Sequence, residues 1–191
     1  MIIGDKKCAS LPSNKPVATI DILRQEYELS MSIYPECKRV TEEQIQDIIV
    51  LSNNDGVLDT STDPSLAIIC YRTGFTKAML AIGNEAFDGR IDIEVTQKQW
   101  SSIKLRQFRE QVDNEYIFTV ELNGVEVARR LTREGREPGK QGYRNVGVYV
   151  GWKSEYILDG MAAFVKDLVI NGTGESVIMS HLLKSLHLNA K

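Results

Sequence analysis

The feature that most constrains this chain is an apolar–polar alternation that keeps returning between turn residues. In residues 26–34, Tyr27, Leu29, Met31 and Ile33 fall on one side, with Glu28, Ser30 and Ser32 on the other. A period of two over that length marks a strand with one face in a core and one in water. The pattern recurs at Ile91, Ile93 and Val95, through residues 102–108, and through residues 116–122. Each stretch keeps a polar face, as antiparallel sheets with one solvated side require. Residues 45–51 read as a further strand, and Cys70 sits inside the apolar run of residues 66–71 as a small buried hydrophobe.

The separators are as regular as the strands. Asp55-Gly56, Thr73-Gly74, Asp88-Gly89, Asn123-Gly124, Gly142 and Asp159-Gly160 supply residues that tolerate positive φ. Asn123-Gly124 is the clearest hairpin signal, joining residues 118–122 to residues 125–129 through a two-residue turn. About eleven strands separated by turns close most easily as two packed sheets or a barrel. Three segments depart from the pattern. Residues 41–44 are charged and suit a short helical turn, and residues 129–142 are polar, with Pro138 and three glycines, as a mobile loop would be. In residues 174–191, Val177, Ile178, Leu182, Leu183, Leu186 and Leu188 are spaced as on an amphipathic helix. The expected organisation is therefore an N-terminal extension over 1–16, one β-sandwich domain over 17–173, and a short C-terminal helical tail or linker over 174–191.

Several functions are excluded or weakened by what the chain lacks. Its 23 basic and 26 acidic residues are mixed along the sequence, so no basic face invites nucleic acid. No apolar run approaches the roughly 18 residues of a membrane-spanning helix, and residues 1–7 lack the apolar stretch of a signal peptide. The three cysteines form no Cys-x-x-Cys pair, and His181 and His187 are the only imidazoles, so a structural zinc site is not expected. Cys8 and Cys37 lie in turn-rich surroundings and are the expected pair if one disulfide forms. Asn171, Gly172 and Thr173 spell an N-glycosylation acceptor, which points toward a secreted chain. No serine–histidine arrangement and no glycine-rich phosphate loop is present.

Three stretches together resemble the concanavalin A-like lectin/glucanase superfamily, in its laminin G and pentraxin-like branch. Residues 18–33 are similar to the opening strands of such domains. Residues 99–107, with Trp100 and Ile103, followed by residues 118–127 with Asn123-Gly124, are similar to their central hairpin. Residues 145–150 and 159–170 look like the closing strands. The likeness covers nearly the whole domain in order and pattern. It implies an antiparallel jelly-roll sandwich, a fold that carries lectins, adhesion modules and glycosidases alike.

Four constellations are candidates for chemistry. Residues 90–94 resemble the strand of sandwich glycosidases on which alternate carboxylates line a concave sheet. Retaining hydrolysis needs a nucleophile and an acid about 5 Å apart. Asp92 and Glu94 are present, but Arg90 occupies the nucleophile's position, and an exposed polar face is the plainer reading. Asp55, Asp59 and Asp63 are hard oxygen ligands of the kind calcium prefers, and calcium is the one cofactor put forward, against the alternative of a solvated turn cluster. Trp152, Lys153 and Tyr156, in the loop between the last two expected strands, are the expected ligand-binding residues; packing onto the sandwich edge is the alternative. Trp100 reads as structural, and Arg129, Arg130, Arg133, Arg136 and Lys140, interrupted by Glu134 and Glu137, read as a solvated loop rather than an anion site.

The functional expectation is a non-catalytic, secreted recognition or adhesion module that binds a glycan or an extracellular protein through a rim or sheet face. A divergent glycoside hydrolase using Asp92 and Glu94 is one alternative. A structural self-assembly domain, a homo-oligomer built through a sheet edge or the terminal helix, is the other.

Overall fold

The computed structural model describes residues 16–36, 46–52, 66–73, 76–83, 90–110, 115–131, 143–150, 163–172 and 177–179. Twelve strands occupy these residues and no helix does: β1 (Ala18–Leu23), β2 (Tyr27–Pro35), β3 (Gln46–Ser52), β4 (Leu66–Thr73), β5 (Lys77–Gly83), β6 (Ile91–Thr96), β7 (Ser101–Arg109), β8 (Tyr116–Leu122), β9 (Val125–Leu131), β10 (Tyr143–Val150), β11 (Ala163–Asn171) and β12 (Val177–Met179). They form two six-stranded sheets, ordered β1-β10-β3-β4-β5-β6 and β12-β11-β2-β7-β8-β9. We call them sheet A and sheet B. The all-β expectation holds, and non-sequential neighbours such as β2 beside both β7 and β11 make the topology a jelly roll rather than a meander.

The alternation becomes a division between core and surface. Along β2, Tyr27, Leu29, Met31 and Ile33 are buried while Glu28, Ser30, Ser32 and Tyr34 are half-buried. Strand β7 buries Ser101, Ile103, Leu105 and Gln107 in register with them. From sheet A, Ile49, Leu51, Leu66, Ile68, Leu80, Ile82, Val146 and Val148 meet this face in one core, and Phe118 is its largest fully buried side chain. The buried Gln107 amide donates to the Gln25 carbonyl at 2.8 Å, and the Tyr116 hydroxyl donates to the Gln25 side chain. The turn between β1 and β2 is thereby held to sheet B, with the polar groups at the core's edge satisfied.

Sheet A carries a second, smaller cluster on its other side: Val50, Ala67 and Tyr149 are buried there, with Ile69 packed against them. Tyr149 folds back over Gly147, where a Cβ would stand 2.6 Å from the ring.

Two expectations need correction. The start of the expected C-terminal helix is strand: β12 pairs with β11 through Leu168↔Met179, Val169↔Ile178 and Ile170↔Val177. A free strand edge at β11 presents a row of unpaired backbone groups, and pairing with them overrides a helical spacing of apolar residues. Residues 180–191 lie outside the described residues, as do 1–15. The expected loop over 129–142 begins later, because Arg129, Arg130 and Leu131 still pair with Thr119, Phe118 and Ile117 in β9. The hairpin signal is borne out: Asn123 (φ 52°) and Gly124 (φ 81°) form the two-residue turn between β8 and β9.

Candidate functional site

The outward face of sheet B is where chemically distinct side chains converge. Its composition follows from register. Pairing sets Phe164 beside Tyr34, Lys166 beside Ser32 and Ser102, Val169 beside Ser30 and Lys104, and Asn171 beside Glu28 and Arg106. Across the next pairing, Lys104 stands beside Glu121 and Arg106 beside Thr119. Rows on one face are two residues apart, about 7 Å. The four rows from Tyr34 to Glu28 therefore span about 20 Å.

The first row is aromatic. Trp100 enters from the turn between β6 and β7, which is fixed by Lys98 at φ 57°, whose N–H donates to the Pro35 carbonyl at 2.8 Å. Its ring lies 5.5 Å from that of Tyr34, and Tyr34 lies 6.0 Å from Phe164 in an edge-on contact. The Lys166 ammonium sits 4.2 Å from the Trp100 ring centre, a cation–π geometry. Trp100 nonetheless remains 41% exposed. The structural reading of this residue accounts for its neighbours but not for its open surface.

The second row holds Lys166, Ser32 and Ser102, and the third Val169, Ser30, Lys104 and Glu121. Ser30, Ser32, Ser102, Lys104, Glu121, Gly124 and Asp167 line a groove of about 350 Å³, floored by the backbone at Met31 and Ile103. Asp167 reaches it because β11 bulges there: the register shifts between Lys166 and Val169, and Asp167 takes φ 54°. Lys104 stands 3.8 Å from the Glu28 carboxylate and 3.7 Å from Glu121, and Arg106 is 3.4 Å from Glu28. These groups are partly exposed and the distances long, so each pair contributes about 0–1 kcal/mol to stability. They set the lysine between two carboxylates, from strands on either side of it.

Below this lies a second aromatic position. The guanidinium groups of Arg106 and Arg129 lie 5.2 Å and 5.8 Å from the Phe108 ring centre. Arg129 is drawn there by Glu110, at 2.9 Å.

The candidate residues from sequence are distributed differently. Asp92 and Glu94 lie on β6, at the edge of sheet A, and face away from the groove. Each carboxylate is held by a neighbouring cation: Arg90 at 3.0 Å from Asp92, and Lys77 at 3.1 Å from Glu94. Arg90 also lies 4.1 Å from the Tyr71 ring centre. Asn171 ends β11 in a half-buried position opposite Glu28. Cys70 is buried, as expected. Trp152, Lys153 and Tyr156, Asp55, Asp59 and Asp63, and Cys8 and Cys37 lie outside the described residues. Among the described residues no group of three or more His, Cys, Asp or Glu stands together as a metal site would need, and no helix is long and apolar enough to cross a membrane.

Sequence reasoning missed the groove because it searched single segments. Ser30 and Ser32 were legible as the polar face of a strand, but nothing local says that Ser102, Lys104, Glu121 and Asp167 will join them from three other strands.

No family model matches the chain, and no curated protein matches its sequence. Solved structures do match. A heptameric SAP-like pentraxin from Limulus polyphemus is 16% identical, with a TM-score of 0.51 over 85% of this chain and 71% of that one. Scytalido-glutamic peptidase is 13% identical, with a TM-score of 0.47 over 87% of this chain and 83% of that one. The CBM40 of a Ruminococcus gnavus IT-sialidase, solved with α2,3-sialyllactose, is 11% identical, with a TM-score of 0.41 over 79% and 82%. The expectation that the chain is not an enzyme is corrected here. A glutamic peptidase and alginate lyases are among the structures it matches, so an enzyme stands open. The exclusion had rested on histidines and on one strand, whereas the fold brings Glu28, Glu121 and Asp167 onto one face from three different strands. What the likeness establishes is architecture: the chain has the concanavalin A-like jelly-roll fold, shared with the pentraxin.

Proposed function

We propose that the chain recognises a glycan laid across the outward face of sheet B. A sugar ring carries C–H groups on its faces and hydroxyls around its rim, so it needs an aromatic plane beside directed hydrogen-bonding groups. One observation carries the reading: an exposed Trp100 and half-buried Tyr34 and Phe164 form an aromatic row directly followed by Ser32 and Ser102, then by Ser30, Lys104 and Glu121. Binding sites combine apolar surface with a few fixed polar groups in this way. The ion pairs on Lys104 limit the entropy it would lose on meeting a ligand.

An extracellular setting, a glycan on Asn171, and calcium at Asp55, Asp59 and Asp63 belong to the same proposal. So does a contribution to binding from Trp152, Lys153 and Tyr156.

The test is a glycan array probed with the intact chain, with and without calcium, followed by titration calorimetry of any hit. Trp100→Ala is expected to weaken that ligand at least about tenfold, the loss of roughly 1.4 kcal/mol of stacking. Lys104→Met is expected to weaken it by a smaller factor. A glycan ligand indifferent to both substitutions would move the site elsewhere, and an array blank in both conditions would remove the proposal.

A further inference from the structure

Strand β9 closes one edge of sheet B, and among the described residues three of the five large apolar side chains that stand exposed lie on it: Val125 at 63%, Val127 at 47% and Leu131 at 58%. All its residues are exposed except the half-buried Ala128. Edge strands of monomers are ordinarily blunted by charge at their open positions, because an uncovered apolar edge is a template for another strand. We propose that β9 is the interface with a second copy of this chain, antiparallel across a two-fold axis at Arg129, joining two six-stranded sheets into one.

The register follows from the sequence of the strand. With Arg129 on the axis, Val127 stands opposite Leu131 of the second copy and Leu131 opposite its Val127, while Ala128 and Arg130 pair in the same reciprocal way. The two apolar contacts thus fall on one face of the joined sheet, as alternation from 127 to 129 to 131 requires. The register shift between Ala128 and Glu126 leaves Val127 as the extra residue of β9, so the bulge forms the last rung at each end of this five-residue ladder and the three rungs between are regular.

Two arginines on a two-fold axis would ordinarily repel. Here each guanidinium is already drawn back over its own sheet, 2.9 Å from Glu110 and against the Phe108 ring. What meets at the axis is the apolar stem of each side chain. Moving the register by two residues loses the Val127–Leu131 contacts: one way sets Arg129 opposite Leu131, and the other sets Val127 opposite Arg129 and Leu131 opposite Val125, which lies beyond the bulge.

Sedimentation equilibrium of the full chain over a range of concentrations tests this. A monomer–dimer equilibrium is expected, and both Val127→Lys and Leu131→Glu, at exposed positions that leave the core intact, should raise the dimer dissociation constant at least about tenfold. An equimolar mixture of the two variants should then dimerise again. In the mixed pair the introduced lysine of one chain meets the introduced glutamate of the other, while the unaltered Leu131 still meets the unaltered Val127. The double variant should likewise recover. A wild-type chain that stays monomeric at the highest concentration overturns the proposal. So does a dimer that either substitution leaves intact, or a mixture that does not recover.

Discussion

Gly172 is the position where one added methyl group should cost most for its size. It has φ +98°, and a Cβ there would lie 2.5 Å from the Glu26 carbonyl oxygen and 2.8 Å from the Tyr27 Cα. Both obstacles are backbone, and the same segment is tied down by the Arg24 N–H donating to the Gly172 carbonyl at 2.8 Å. Two penalties therefore act together, and two other glycines separate them. Gly124 has φ +81° with open space around its missing Cβ, so Gly124→Ala isolates the left-handed backbone penalty, about 1 kcal/mol. Gly147 has no such φ but faces the Tyr149 ring, so Gly147→Ala isolates crowding, about 1–3 kcal/mol. Gly172→Ala combines both and should cost about 2–4 kcal/mol. In urea, with slopes of about 1–3 kcal/mol per molar for proteins of modest size, the Gly172→Ala midpoint should fall by about 1–2 M. The expected order of midpoints is wild type, Gly124→Ala, Gly147→Ala, Gly172→Ala. A Gly172→Ala chain within about 0.5 kcal/mol of wild type would refute the close approach of β11 to the start of β2.

Two further outcomes can be stated. Any hydrolytic activity found toward β-glucans should survive Glu94→Gln, because Glu94 is engaged by Lys77 on sheet A, away from the groove; turnover abolished by that substitution would put the catalytic face on sheet A. Expressed through a eukaryotic secretory pathway, the chain should show a mobility shift that Asn171→Gln and peptide N-glycosidase both remove, and a chain of unchanged mobility in all three states would take Asn171 out of the proposal.

The strands were legible because one face of each had to be apolar. From Tyr27 to Ile33 and from Ile103 to Leu105 the inward positions follow from alternation alone, since a slip of one residue would expose the whole set. Asn123-Gly124 was legible because few residue pairs accept two consecutive positive φ values. β12 was not, because three apolar residues fit a helix face as well as a strand, and the choice was made by the open edge of β11. The exposed condition of β9 was not either. Its composition suits a half-buried strand, and only the sheet order leaves it on the outside. The candidate site lies between these cases: each outward residue could be read from its own strand, while their assembly depends on β2 having β7 and β11 as neighbours.

Asp167 shows how the surface of such a sandwich can change without its interior. With that residue left out of β11, the strand reads Ala163 inward, Phe164 outward, Val165 inward, Lys166 outward, Leu168 inward, Val169 outward, Ile170 inward, an unbroken two-step rhythm. The aspartate is thus a supernumerary unit, looped out toward the groove while the apolar residues on both sides stay in phase. Lengthening or shortening the chain at this one point alters the acidity of the groove wall and leaves the packing between the sheets as it was.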